Sequence, residues 1–234
     1  LVAPIDARII AVSGMRFEAQ AAAGLGITCV YGLVGAEIEA RLCALIEELR
    51  DQPPKGLMSF GTMGGLAPDI ETGQWLVARS VIDPDGNTFY TDPGWSTTLL
   101  RLCRSARYAP VICSDRPILK PLEKRQMHQM TGAYAVDMES HIVARVAKRY
   151  QLPFVVARVV LDESHEVVPE IAMSGVSADG STHALPVIRA LARTPTSFAP
   201  LLRLARASMR ARRALDQGRT CFGMELGFPL SSEE

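Results

Sequence analysis

Four carboxylates stand out in this 234-residue chain, because each falls at or near the edge of an apolar run: Glu18, Asp137, Glu139 and Asp162. Open α/β sheets bind ligands in the crevice at the carboxyl ends of their strands, so residues placed there are the first candidates for chemistry. The same ends offer Gly14, a glycine-rich segment at 61–65 (GTMGG), and Ser114 with Asp115. They offer no nucleophile paired with a base. Carboxylates and backbone amides without such a pair suit a cationic transition state, stabilised by negative charge while an acid protonates the leaving group. Cleavage of a glycosidic bond is a reaction of that kind.

The elements that must position these residues follow from apolar periodicity. Short, mostly β-branched runs at 8–13 (RIIAVS), 27–31 (ITCVY), 56–60 (GLMSF), 75–82 (WLVARSVI), 110–113 (PVIC) and 153–161 (PFVVARVVL) read as strands. The last is almost unbroken, as expected of a strand buried on both faces. Helical spacing marks 37–50, which ends before Gln52-Pro53-Pro54, and also 95–104, 140–150, 186–193 and 200–217. Residues 61–65 and 83–87 (DPDGN) read as turns and 163–182 as a long loop, while Asp137-Met138-Glu139 is expected to open the helix at 140. Strands alternating with helices predict an α/β fold: a single domain over 1–217 with a central mixed, mostly parallel β-sheet flanked by helices. A tail over 218–234 is expected to be poorly ordered.

Composition narrows the function. The 25 Lys+Arg balance 25 Asp+Glu, which argues against a dedicated nucleic-acid binder, since affinity for phosphate backbones needs a clustered cationic excess. Five cysteines (Cys29, Cys43, Cys103, Cys113, Cys221), odd in number and never spaced as metal ligands, fit a reduced interior. No 18-residue apolar stretch is present, and the first residues lack a basic region and a cleavage site, so a cytoplasmic protein is expected. Between 189 and 219 eight arginines face one acidic residue, Asp216, with Leu201, Leu204, Ala205 and Met209 at helical spacing. This basic amphipathic helix reads either as packed on the domain with a solvated face or as a peripheral contact with the inner membrane; the first is favoured because an Ala-rich face binds membranes weakly.

Four fragments, SGMRFEA at 13–19, FGTMGG at 60–65, AVDMES at 135–140 and ARVVLDES at 157–164, together resemble the superfamily of purine nucleoside phosphorylases and 5′-methylthioadenosine/S-adenosylhomocysteine nucleosidases. Order and spacing fit from residue 8 to about 164. The longer stretches SFGTMGGLAP, CSDRP, AVDMESHIVARVA and PLLRLARAS are most similar to the hopanoid-associated branch, which implies removal of adenine from adenosylhopane. The resemblance implies the three-layer nucleoside phosphorylase-like fold, a homo-oligomer, a nucleoside or nucleoside-lipid substrate, and no cofactor or metal.

Position by position, the resemblance makes Asp162 the general acid that protonates a purine nitrogen, a task that needs a raised pKa. Glu139 matches the acceptor of the two ribose hydroxyls and Met138 the residue packed under the sugar. Asp137 either fixes the site or favours a helix N-terminus. Glu18 matches the carboxylate that activates water. Gly61, Thr62, Met63 and Gly64 match the loop that touches phosphate in phosphorylases and lies near the attacking water in nucleosidases. Ser114, Pro117 and Ile118 match the segment that reads the adenine edge.

Three positions depart from the pattern: Ser59 stands where bacterial phosphorylases carry a phosphate-binding Arg, Pro117 where nucleosidases often stack a Phe, and Leu161 where they often have a hydroxyl residue. Water and inorganic phosphate both remain open as the nucleophile. The alternatives are a methylthioadenosine/S-adenosylhomocysteine nucleosidase and a nucleoside-binding module, which would be expected to lose Asp162 or Glu139. Gly24-Leu25-Gly26 precedes a strand rather than following one, so it is no dinucleotide fingerprint. The histidines (His128, His141, His165, His183) lack i, i+4 spacing, so no zinc site is expected; His165 reads as a solvated loop residue.

Overall fold

The computed structural model describes residues 9–173, 175, 177, 180, 181 and 198–229. Its strands are β1 (Ile9–Ser13), β2 (Ile27–Tyr31), β3 (Gly56–Gly65), β4 (Trp75–Ile82), β5 (Thr88–Tyr90), β6 (Arg107–Cys113), β7 (Ala135–Asp137) and β8 (Phe154–Asp162). Its helices are α1 (Arg16–Ala22), α2 (Ala36–Glu48), α3 (Pro93–Leu102), α4 (Pro121–Thr131), α5 (Ser140–Tyr150), a short α6 (Glu170–Met173) and α7 (Phe198–Phe222).

Strand alternation builds the layers, because successive side chains point to opposite faces of a sheet. In β1, Ile10 and Val12 join a core with Leu42 and Leu45 of α2 and Ile142 and Val146 of α5. Ile9 and Ala11 join a second core, with Trp95 and Leu99 of α3 and Ala211 and Leu215 of α7. Strands β3 and β8 divide their residues between the two cores in the same way. Both faces are covered, so these strands read as apolar runs without a polar side. The sheet is mixed and mostly parallel: β1–β2, β1–β3, β3–β8, β4–β6 and β6–β7 run parallel, while β3–β7, β4–β5 and β4–β8 run antiparallel.

Several local expectations are corrected. Residues 61–65 are strand rather than turn, because β8 pairs with Thr62 and Met63 while Val136 and Ala135 of β7 pair with Gly64 and Gly65. A bulge between Met63 and Gly64 turns the strand end. Asp137 closes β7, opposite Cys113, instead of opening the following helix. Strand β6 begins at Arg107, three residues early, because Leu76, Val77 and Ala78 of β4 offer ladder partners. Helix α3 starts at Pro93, where Asp92 accepts a 2.7 Å hydrogen bond from the Trp95 amide.

Helices α1 and α4 and strands β5 and β7 carry too little apolar periodicity to be read from sequence. Helix α4 is the extreme case: its buried residue is Lys124. Helix α7 runs past the expected boundary at 217. Phe222 and Leu226 are buried, Trp95 Nε1 donates to the Leu226 carbonyl at 2.9 Å, and Phe228 meets the Trp95 ring edge-on. Residues 218–229 therefore pack as part of the domain. The expected helix at 186–193 lies outside the described residues.

The apolar face of α7 is not the one expected: Leu201 and Leu204 are half-buried, and Ala205 and Met209 are exposed. Ala207, Ala211, Leu215 and Phe222 are buried, whereas Phe198, Leu202 and Met209 are exposed beside Arg206 and Arg213. No described helix is long and apolar enough to cross a membrane, and no described cluster of His, Cys, Asp and Glu could hold a metal ion. All five cysteines are unpaired.

Candidate active site

A cleft of about 180 Å³ opens where β1, β3, β7 and β8 end. Of the residues singled out in the sequence, the fold brings Glu18, Thr62, Met63, Gly64, Pro117, Ile118, Asp137, Met138, Glu139 and Asp162 to its wall. Ser114 and Gly61 are not on that wall. The Ser114 amide instead donates to the Asp137 carbonyl at 3.0 Å, holding the chain after β6 against β7.

Gly61 lies behind the wall, for a steric reason. Its backbone has φ +151°, and a Cβ there would fall 2.6 Å from Glu18 Oε2, so only glycine lets the carboxylate come this close. Glu18 enters from the first turn of α1 and is 1% exposed. Its Oε1 accepts from the Thr62 amide at 2.8 Å and the Thr62 hydroxyl at 2.6 Å, and its Oε2 from the Met15 amide at 3.0 Å. Three donors hold this carboxylate in a fixed pose. Gly14 gives Glu139 similar room: a Cβ would sit 2.9 Å from Glu139 Oε1.

Sequence reasoning missed the organising cation of the site. Arg158 lies in the middle of β8 and is 1% exposed. Its Nε reaches Asp137 Oδ2 at 3.1 Å and donates to Ser59 Oγ at 2.9 Å; its Nη1 reaches Glu139 Oε2 and the Thr62 carbonyl, both at 2.9 Å. Nη2 is buried and finds no acceptor among the described residues. Burial works against the guanidinium charge, but Asp137, Glu139 and Glu18 more than reverse this and hold Arg158 above its ordinary pKa. An isolated arginine inside a nine-residue apolar strand was the available signal, since a buried charge must be paired.

Asp137 touches both Arg158 and the first turn of α5. Oδ1 accepts from the Ser140 amide at 3.1 Å, in the first turn of α5, and Oδ2 accepts from the Ser140 hydroxyl and pairs with Arg158. Glu139, just before α5, has its carboxyl pushed up to about 7, chiefly by burial; Arg158 opposes this, and the charges of Asp137 and Glu18 add to it.

Asp162 closes β8 on the other side of the cleft and is 7% exposed. Burial raises its pKa, opposed by the Lys124 ammonium, which donates to Oδ2. Sequence reasoning also missed Lys124, which reads as one charge in a polar helix. Apolar side chains, including Met15, Pro117, Leu119, Leu161 and Val168, complete the wall. Arg116 lies at the wall, paired with Glu123, and His165 is exposed beside Glu163.

An α/β sheet that gathers a buried carboxylate–guanidinium cluster and a separate buried acid at its strand ends has the build of an enzyme whose chemistry is acid–base rather than nucleophilic. The chain belongs to the phosphorylase superfamily, whose family pattern matches residues 7–179. Similar solved structures include the 5′-methylthioadenosine/S-adenosylhomocysteine nucleosidase of Helicobacter pylori, with TM-score 0.65 and 14% identity over 93% of this chain and 97% of that one. The futalosine hydrolase of Helicobacter pylori strain 26695 gives 0.64 and 13% identity over 93% and 96%. The S-adenosylhomocysteine nucleosidase of Streptococcus pyogenes gives 0.59 and 16% identity over 67% and 84%. At these identities the likeness is one of fold. No curated protein sequence matches the chain.

Proposed function

We propose that this protein cleaves the N-glycosidic bond between adenine and a 5′-substituted ribose, with water as the nucleophile and adenosylhopane as the substrate. The observation that carries the reaction is the pairing of two opposed groups across one cleft: the Glu18–Arg158–Glu139 cluster and the buried acid Asp162. Asp162 protonates the purine as the bond breaks. Carboxylates of the cluster stabilise the oxocarbenium-like sugar, and Glu18 takes a proton from the attacking water.

Charge favours water over phosphate. Three carboxylates, Glu18, Asp137 and Glu139, surround the single guanidinium of Arg158, so a phosphate dianion entering here meets net negative charge. The position that would add a second cation is Ser59, whose hydroxyl is already engaged by Arg158 and Ser140. Similarity of four sequence stretches to the hopanoid-associated branch supports the 5′ substituent, and the exposed Phe198, Leu202 and Met209 beside Arg206 and Arg213 support presentation at an anionic membrane surface.

The test is adenine release from adenosylhopane, methylthioadenosine and 5′-deoxyadenosine, with and without phosphate, the lipid presented in neutral or anionic vesicles. Release in phosphate-free buffer, fastest for the lipid in anionic vesicles at low salt, is expected. Strict dependence on phosphate would make the enzyme a phosphorylase, preference for methylthioadenosine would replace the substrate, and no release from any would overturn the reading.

Glu139 gives a binding prediction with a definite sign. Only its ionised form accepts from both ribose hydroxyls, and its carboxyl titrates at about 7. Affinity for an uncleavable adenosine C-nucleoside should therefore weaken as pH falls from about 8 to about 6, by up to roughly tenfold per unit below the pKa. The analogue lacking both hydroxyls should lack this component. Equal pH dependence for the two in titration calorimetry would remove Glu139 from the ribose.

A further inference from the structure

Helix α4 buries a lysine where a surface helix ordinarily buries an apolar residue. Lys124 is 0% exposed, and all three of its ammonium protons have acceptors: Asp162 Oδ2, the Glu163 carbonyl at 2.8 Å and the Glu166 carbonyl at 3.2 Å. A buried ammonium is costly unless so satisfied, and the same helix turn could have carried a leucine at no such cost. Asp162 Oδ1 accepts no hydrogen bond among the described residues.

We propose that Lys124 is the positioning residue of Asp162: its ammonium fixes one carboxyl oxygen, leaves the other for the substrate, and neutralises the carboxylate that forms when Asp162 gives up its proton. The inference rests on reading Asp162 as the acid. Because Oδ2 accepts from Lys124, the proton of neutral Asp162 resides on Oδ1. In the step itself the Oδ1–H bond breaks as an N–H bond forms on the purine, and the electrons of the glycosidic bond leave with the base. Lys124 keeps its three protons throughout. The negative charge left on Asp162 develops beside a preorganised, buried cation, where such a charge is most effective.

Other charges around Asp162 do not supply this balance. Glu166, in the loop after β8, raises its proton affinity. A second cavity adjoining Asp162 carries His165 and Glu166 of that loop and Arg203 of α7. His165 pairs with Glu163, and its side chain is 75% exposed.

Lys124→Met removes the charge at similar length. In the full chain, adenine release should fall by on the order of a hundredfold. The pH optimum of kcat/KM and the ¹³C carboxyl titration of Asp162 should both move to higher pH, because the carboxylate has lost its counter-ion. Lys124→Arg should return both toward wild type. Lys124→Gln, a donor without charge, gives the same reading should the methionine variant not fold. A neutral variant with wild-type optimum and titration would overturn the inference while wild-type adenine release left the function standing. Absence of adenine release from the wild type would instead overturn the acid role itself, and the Asp162 titration would still show whether Lys124 sets its proton affinity.

Discussion

Asp162→Asn should fold and lose adenine release by about 10²- to 10⁴-fold, the range that a positioned general acid contributes. The amide keeps an acceptor for Lys124, which donates to Oδ2 of the wild-type side chain, so the burial of Lys124 remains partly satisfied. What the amide lacks is a transferable proton, and adenine is a poor leaving group as an anion. A riboside whose leaving group is a stable anion, such as nitrophenolate, needs no protonation. The variant should therefore cleave that riboside within a few-fold of wild type while failing on adenine nucleosides. An equal loss on both substrates in steady-state kinetics would mean that Asp162 positions or supports the site rather than acting as the acid.

Arg158→Met should produce the largest loss of stability. The side chain is buried at the centre of β8, and its removal leaves Asp137, Glu139 and Glu18 as neighbouring buried carboxylates without a cation. Breaking a buried ion pair from one side costs about 3–5 kcal/mol, which lowers Tm on the order of 10 °C in a chain of this length. The loss should depend on pH. Glu139, whose pKa burial already raises, then loses the cation that opposes the rise, so between its unfolded and folded values the folded state binds more protons. Stability is then retained at low pH and lost as pH rises through the raised value. Scanning calorimetry should show a smaller deficit near pH 5 than near pH 8, and an equal deficit at both would show that packing, not charge, is what Arg158 supplies.

The lining of the cleft was legible where local sequence carried it. Asp162 closes an apolar run that reads as a strand, Glu18 follows another in the first turn of α1, and Asp137 and Glu139 flank the start of α5; each reaches the cleft wall. Lys124 and Arg158 were not legible, since a charged residue in a polar helix or an apolar strand shows no local sign of its partner. Arg158 meets Asp137 and Glu139 about twenty residues earlier in the chain, across β7 and β8. Lys124 meets Asp162 from a helix whose apolar periodicity was too weak to be seen.

The sequence by itself determined the layers. Strands buried on both faces, alternating with amphipathic helices, have few other ways to hide their apolar surface than an α/β sheet covered on both sides. Tertiary structure alone decided how the strand ends were used. The GTMGG segment became strand because β8 and β7 offered distant ladder partners, and that pairing set Gly61 against the Glu18 carboxylate and left Thr62 to donate to it. It also decided where each charge found its counter-charge. Hydrophobic pattern is local and repeats along the chain, whereas the partner of a buried ion is fixed only when separate elements meet.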